Sequence, residues 1–203
     1  MLITIEFLAV LTSAAYGVLL ACRKQFDGVG VFTVAFTVAF GGGTLRDILL
    51  DRRPLFWIEN DHYVMAVMAL SFVGAVFPRG LLRLERYLAV PDALGLALFS
   101  IVGTGFAISS DTSPFIAAIF GVITGTFGGV IAEIICNEIP SLFRSAPLYA
   151  ICSFTGSCVY LIAGATTGHE NLSILLGVMV IVVFRWAALH WNLRLPNASL
   201  DPK

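Results

Sequence analysis

Two short segments of this sequence place glycines and a carboxylate together inside apolar stretches. The first is FGGGTLRDILLDRRP, residues 40–54, and the second is TFGGVIAEIICNEIP, residues 126–140. In each, a pair of glycines precedes a carboxylate, Asp47 or Glu133, by four to five residues. Glycine lowers helix stability by about 1 kcal/mol relative to alanine, so both segments predict a broken helix. Unwound backbone and acids at membrane depth need protein or a hydrated cavity around them, so the pair predicts a membrane pathway.

Polar side chains recur at helical spacing on the two glycine-bearing helices, which places them on one face of each. The candidate pathway residues are Thr33, Thr37, Gly41, Gly42, Gly43, Thr44 and Asp47 on the first helix and Thr126, Gly128, Gly129 and Glu133 on the second. Carboxylates at both ends of such a path attract cations and repel anions. Threonine can instead bond to its own helix, and glycine can simply allow close helix packing, so packing stays open as the alternative.

The composition is that of a polytopic membrane protein. The chain has 203 residues, of which 58% are hydrophobic and 12% charged, whereas a soluble domain is about a quarter charged. The sequence predicts one all-α membrane domain over residues 1–203. Its seven predicted spans, each near the length that crosses a bilayer, are residues 2–21, 29–50, 62–80, 90–109, 114–136, 146–166 and 171–191.

Several function classes find no support in the sequence. It has no nucleotide-binding loop, HExxH motif or nucleophile elbow, and its basic residues are too few and dispersed for nucleic acid. The four cysteines show no CxxC spacing, which disfavours a metal site. We therefore predict neither an enzyme nor a nucleic-acid partner, and no metal or cofactor.

A shift of 86 residues aligns the first three spans with the next three without a gap. Since three helices are an odd number, the second unit must be inverted in the membrane. We predict repeats at about residues 4–80 and 90–166, followed by a seventh helix without a counterpart. The aligned pairs include Glu6 with Asp92, Gly42 and Gly43 with Gly128 and Gly129, Asp47 with Glu133, Pro54 with Pro140, and Tyr63 with Tyr149.

The repeat isolates one basic residue and two further acids. Arg46 has no counterpart, because Ala132 occupies the equivalent position. Its side chain is predicted either to neutralise its neighbour Asp47 or to reach another helix end or a lipid phosphate, in a gating or lipid-contact role. Glu6 and Asp92, near the start of each repeat, either complement the helix dipole or lie at opposite mouths of the path.

Lys and Arg in short loops predict the orientation. The outer loops would hold only Arg52 and Arg53 if the N-terminus is outside and the C-terminus is cytoplasmic. Arg185 is interpreted as a residue that snorkels to the inner interface. The cytoplasmic segments would then hold Arg23, Lys24, Arg79, Arg83, Arg86, Arg144, Arg185, Arg194 and Lys203.

The first glycine segment, Gly41-Gly42-Gly43-Thr44-Leu45-Arg46-Asp47, ends the second helix of a duplicated three-helix unit and resembles prokaryotic trimeric intracellular cation channels. In that family the second repeat commonly reads GGxxRD; here it ends Ala132-Glu133, so the arginine is lost. The resemblance covers about residues 4–190. It implies seven helices, of which the second and the fifth are kinked at their glycines, and a homotrimer with an ion pathway in each subunit. It also implies conduction of monovalent cations, chiefly potassium, so the expected permeant ions are potassium or sodium, with bound lipid besides.

The sequence therefore predicts a passive potassium-permeable channel of a prokaryotic inner membrane, in contact with membrane lipid. Because the same domain has also been labelled a glycine-transporter type, the alternative is a secondary transporter of a small amino acid such as glycine. In that alternative, the N-termini of half-helices would hold the substrate carboxylate. A scaffold whose glycines serve packing alone is the third interpretation.

Overall fold

The computed structural model describes residues 2–82 and 87–196, and helices make up most of this part of the chain. By length and composition, all of its helices except the three between residues 56 and 82 could cross a membrane. In chain order the helices are α1 (Leu2–Arg23), α2 (Gly28–Leu49), α3 (Phe56–Glu59), α4 (Asp61–Val76), α5 (Pro78–Leu82), α6 (Ala89–Ser109), α7 (Pro114–Ile135), α8 (Ala150–Thr167) and α9 (Glu170–His190).

The third predicted span, residues 62–80, is divided in the structure. Helix α4 has 16 residues, and α5 starts separately at Pro78. Proline lacks a backbone N–H and disfavours a helical conformation in the residue before it, which explains why the helix ends there. Of the residues used to predict the orientation, Arg83, Arg86 and Lys203 lie outside the described residues.

Helices α1, α2, α7 and α6 form a closed ring in which each packs against the next, and α6 packs back onto α1. Helix α4 packs outside α1 and α2, while α8 and α9 pack against each other beside α6. The glycine-bearing helices α2 and α7 are therefore neighbours in the ring, and the space that the four helices enclose lies between the two sequence repeats.

Helices α2 and α7 start at equivalent capping residues. The side chain of Asp27 accepts a hydrogen bond from the N–H of Gly30 at 2.8 Å, and that of Ser113 accepts one from Ile116 at 3.4 Å. Such side chains satisfy N–H groups that have no partner within the helix. Asp27 and Ser113 are 86 residues apart, so the offset read from the sequence also relates the two helix starts.

The prediction that the glycines break these two helices is wrong. Helices α2 and α7 run without interruption through both glycine clusters. A Cβ atom on Gly42 would lie 2.1 Å from the carbonyl oxygen of Thr124, and one on Gly128 would lie 2.4 Å from that of Val38. These glycines are therefore needed where the two backbones cross, which is the packing role that small residues have in membrane helices.

Candidate functional site

One end of the helix ring is filled by a buried ionic cluster, called the first cluster here, of Glu6, Arg46, Asp47, Arg52 and Phe106. The Nη2 atom of Arg46 lies 3.0 Å from the Oε1 atom of Glu6, and its Nε atom donates to the Oδ1 atom of Asp47 at 2.8 Å. The side chains of Arg46 and Asp47 are at most 1% exposed. Arg46 thus neutralises Asp47 and also joins α2 to α1, as one of the alternatives read from the sequence expected.

The carboxylate of Asp47 holds the chain that follows α2. Its Oδ2 atom accepts the N–H of Phe56 at 2.9 Å, and its Oδ1 atom lies 3.3 Å from Nη1 of Arg52. The guanidinium carbons of Arg46 and Arg52 lie 4.6 and 3.8 Å from the ring centroid of Phe106. Two acids and two arginines give this end no net formal charge, and the aromatic ring covers both guanidinium groups.

The other end of the ring holds the second cluster, which consists of Asp92, Glu133, Ser141, Tyr149 and Arg185. The hydroxyl of Tyr149 donates to Oδ1 of Asp92 at 2.8 Å, and Nη2 of Arg185 lies 3.2 Å from Oδ2. The backbone N–H of Ser141 donates to Oε2 of Glu133 at 2.8 Å. Glu133 thus holds the segment after α7 as Asp47 holds the segment after α2.

Arg185 reaches this cluster from α9 and is fixed on several sides. Its Nη1 atom donates to the carbonyl oxygens of Pro147 at 3.1 Å and Leu148 at 2.9 Å, and its guanidinium carbon lies 4.6 Å from the centroid of Tyr149. The side chain is 11% exposed. The interpretation of Arg185 as a snorkelling residue is therefore wrong, because it points inward to the carboxylate of Asp92, whose side chain is 12% exposed. Trp186, next to it, is 60% exposed.

A polar cavity of about 160 Å³ opens beside the second cluster. A polar space of this volume is large enough for several water molecules. A narrower cavity of about 20 Å³ shares Tyr16, Asp92, Gly129 and Tyr149 with it and extends toward the middle of the ring, to Ser13, Val38 and Phe99. The larger cavity is lined by Tyr16, Asp92, Thr126, Gly129, Val130, Glu133, Ser141, Leu142, Tyr149 and Arg185.

Three of the residues selected from the sequence line the larger cavity: Thr126, Gly129 and Glu133. A Cβ atom on Gly129 would meet nothing within 4 Å, unlike one on its neighbour Gly128. The hydroxyl of Thr126 donates to the carbonyl of Val122 at 2.8 Å, and the residue is fully buried.

The selected residues of α2 lie elsewhere. Gly41 and Gly42 lie at the crossing with α7, and a Cβ atom on Gly43 would meet the ring of Phe56 at 2.5 Å. The hydroxyl of Thr44 accepts a hydrogen bond from Trp57 at 3.0 Å. Asp47 and Arg46 belong to the first cluster, and the complete burial of Arg46 leaves no surface for a lipid phosphate to contact in this structure.

Thr33 and Thr37 lie on the side of α2 that is at least partly exposed. Their hydroxyls donate to the carbonyls four residues before them, at 2.9 and 2.8 Å. These are the bonds within one helix that the sequence left open as an alternative. A pore-lining role for the two threonines stays a prediction.

Sequence reasoning missed Tyr16 and Arg185 as members of the site. The offset of 86 residues pointed to Asp92 and Tyr149 through their partners Glu6 and Tyr63. In the first repeat the corresponding tyrosine, Tyr63, donates to the carbonyl of Ile3 at 3.1 Å instead of to the acid. The offset of 86 residues gives no such indication for Arg185, because α9 has no counterpart in the repeat.

Comparison with known families gives a repeated match. The family model described as Glycine transporter matches the chain twice, over residues 3–79 and 89–165. The two matches start 86 residues apart and together cover most of the chain. The second ends before α9.

Curated relatives and solved structures match over nearly the whole length. The UPF0126 inner membrane protein YadS of Escherichia coli is 36% identical over 190 residues, which are 93% of this chain and 91% of that protein. A UPF0126 membrane protein of Vibrio cholerae is 36% identical over 201 residues, or 98% of this chain and 84% of that protein.

Among solved structures, a trimeric intracellular cation (TRIC) channel orthologue from Rhodobacter sphaeroides has a TM-score of 0.88 and 30% identity, and the match covers 95% of this chain and 98% of that one. Another structure, from work on conductance through TRIC cation channels, has a TM-score of 0.89 and 27% identity and covers 98% of each chain.

Proposed function

This chain belongs to the prokaryotic trimeric intracellular cation channel family, whose repeated domain is also described as glycine transporter, and we propose that it is a passive potassium-permeable channel. It is a multi-pass inner membrane protein, because its helices are apolar enough to span and its relatives carry that description. Beyond the family and the location, we propose which ion permeates and which path it takes through the protein.

The observation that carries the proposal is the polar cavity at one end of the helix ring. It is lined by residues of α1, α6, α7 and α9 and of the segment between α7 and α8, and these include two acids and one arginine, Asp92, Glu133 and Arg185. Its formal charge is therefore negative by one, whereas the first cluster is balanced. A hydrated space with net negative charge inside a low-dielectric wall concentrates cations. We assign Thr126, Gly129 and Glu133 to the lining of the ion path.

The architecture that we propose is a pair of inverted three-helix repeats, with α4 as the third span and α9 as the seventh. The double family match and the paired capping residues of α2 and α7 support it. The N-terminus would be outside and the C-terminus cytoplasmic, in line with the distribution of Lys and Arg. The oligomer that we propose is a homotrimer with one path per subunit, and the description of the Rhodobacter orthologue as a trimeric channel supports the trimer.

The first cluster would act as the closed end of the path. Arg46 and Arg52 lie against Phe106, and Arg46 bridges two carboxylates without exposure to solvent. An ion leaving the cavity toward this end must therefore separate a buried ion pair. We propose that Arg46 takes part in gating by holding this closed arrangement.

A transporter of glycine is the second candidate, and the family description favours it. The transporter mechanism expected from the sequence needs the free N-termini of half-helices near the membrane centre. Helices α2 and α7 are continuous at their glycines, so those N-termini do not exist in this conformation. This difference favours the channel over the transporter.

Recording from purified protein in planar bilayers tests the proposal. With potassium chloride as the only solute, we expect single-channel steps of picoampere size and a reversal potential near that of potassium in a salt gradient. Such currents are too fast for alternating access. Flux of radiolabelled glycine into proteoliposomes without any current steps would instead support the transporter and refute the channel.

A further inference from the structure

We propose that Arg185 of α9 sets the charge of the ion path at the second cluster and thereby limits how strongly cations accumulate there. The inference rests on the proposed channel function. It gives the seventh helix, which the repeat does not contain, a direct role in conduction in addition to packing.

The loss of an arginine from the second repeat is the first observation. In the first repeat, Arg46 stands beside Asp47 on α2 and bridges to Glu6 of α1. The equivalent position on α7 is Ala132, which is fully buried and carries no charge. Asp92, the counterpart of Glu6, would therefore lack a cationic partner within its own repeat.

Arg185 supplies that partner from outside the repeat. Its Nη2 atom lies 3.2 Å from Asp92, and the two carbonyl bonds from Nη1 prevent the guanidinium from swinging away. The ring of Tyr149 lies against the guanidinium, and the hydroxyl of Tyr149 donates to the same carboxylate. The positive charge is thus held at a fixed place, as a binding or selectivity group requires.

This position matters for ions because Arg185 lines the same cavity as Asp92 and Glu133. With Arg185 present, the formal charge of the three groups is negative by one; without it, the charge would be negative by two. Fixed charges a few ångströms from a narrow hydrated space change local ion concentration strongly when the salt concentration is low. Arg185 should therefore reduce cation occupancy of the cavity.

Single-channel conductance measured against potassium chloride concentration tests this inference. R185Q removes the positive charge, R185K keeps it, D92N removes one acid, and the double variant D92N/R185Q restores the original net charge. At about 0.01 M salt, where the Debye length is about 30 Å, we expect R185Q to conduct at least about twofold more than the wild type. The difference should disappear near 1 M, where that length is about 3 Å.

The other variants separate charge from structure. R185K and the double variant should conduct like the wild type at low salt, and D92N should conduct less. R185Q leaves Asp92 buried without its partner and can fail to fold; in that event the comparison of D92N/R185Q with D92N replaces it. The double variant should conduct more than D92N, because it has one positive charge fewer.

Two failures are distinguishable. A wild type that carries no current overturns the channel proposal and this inference with it. A conducting wild type whose low-salt conductance is unchanged by R185Q, or unchanged between D92N and D92N/R185Q, overturns this inference alone. If R185K and R185Q change the low-salt conductance equally, Arg185 acts through its shape and hydrogen bonds and not through its charge, and this inference is overturned.

Discussion

Arg46 and Glu6 are forty residues apart in sequence, and their side chains form an ion pair with 3.0 Å between Nη2 and Oε1. The Glu6 side chain is 3% exposed and the Arg46 side chain is fully buried. The dipole of α1 therefore does not explain Glu6, which was one of the two roles expected for it. The acid is instead the partner of an arginine that also binds Asp47.

Removal of Arg46 should destabilise the protein strongly. R46M would leave Glu6 buried without a cation and Asp47 with Arg52 alone, and a broken buried pair costs about 3–5 kcal/mol. E6Q/R46M removes the charge of the stranded Glu6 and should recover part of the loss. Thermal unfolding in detergent, followed by tryptophan fluorescence, measures both. An R46M variant as stable as the wild type would contradict the burial of this pair.

The glycine pair of α7 allows a matched comparison. A methyl group on Gly128 would meet a backbone oxygen at 2.4 Å, whereas one on Gly129 would meet nothing within 4 Å. We expect G128A to lower stability by about 1–3 kcal/mol, the cost of overpacking. G129A should leave the melting temperature unchanged or higher, because alanine favours helix.

G129A tests a second property of the same position. Since Gly129 lines the cavity, the added methyl group should lower potassium conductance although the fold is intact. Equal melting temperatures for G128A and G129A would contradict the packing assignment. Equal conductance of G129A and wild type would contradict the assignment of Gly129 to the path.

Neutralisation of Glu133 should weaken the preference for cations. E133Q makes the formal charge of the cavity zero and keeps an oxygen for the Ser141 N–H. We expect the permeability ratio of potassium to chloride to fall by about twofold or more, measured as the reversal potential in a salt gradient. E59Q, in the exposed part of α3, is the control and should not shift it.

The pairing of Lys24 with Glu138 predicts a pH dependence outside the spans. The hydrogen bond from Lys24 holds the pKa of Glu138 below its usual value of 4.5. A lowered pKa means that the pair stabilises the fold above pH 4.5 and that this contribution is lost as the pH falls through the lower value. The melting temperature of E138Q should be slightly below that of the wild type at pH 7.

The effect of E138Q is small because the pair is partly exposed and such pairs contribute less than about 1 kcal/mol. Below the folded-state pKa the two proteins should melt together. A difference in melting temperature between wild type and E138Q that grows toward acid pH would contradict the pairing, because the pair should lose its contribution as Glu138 is protonated.

Sequence reasoning located the long helices and the offset between the halves, because hydrophobic length and repeated residue types are local signals. It also placed Asp47 and Glu133 at opposite ends of the path, and in the structure they lie near opposite ends of α6. It failed at Gly42 and Gly128. Helix propensity predicts breaks there, but the crossing of α2 and α7 makes the same residues necessary inside continuous helices.

The site was less predictable than the fold. Arg185 binds Asp92, which lies 93 residues before it in the sequence. The spacing of Arg185 from other polar residues does not indicate which residue is its partner. Trp186 on the same helix and Trp191 directly after it indicated an interfacial position for the arginine. In the structure both tryptophans are exposed, whereas the arginine is turned inward to Asp92. Which of two adjacent side chains faces inward depends on how α9 rotates against α6 and α8, and that is a property of the packed bundle.

The contact between Asp92 and Arg185 also makes the two halves of this protein non-interchangeable. A tandem of two first halves would carry its own arginine at each end. A tandem of two second halves would need an arginine from elsewhere at both ends, because Ala132 stands where the first half has Arg46. One of the two similar units depends on α9 for its cation, so a chain ended after α8 would retain both units and strand the carboxylate of Asp92.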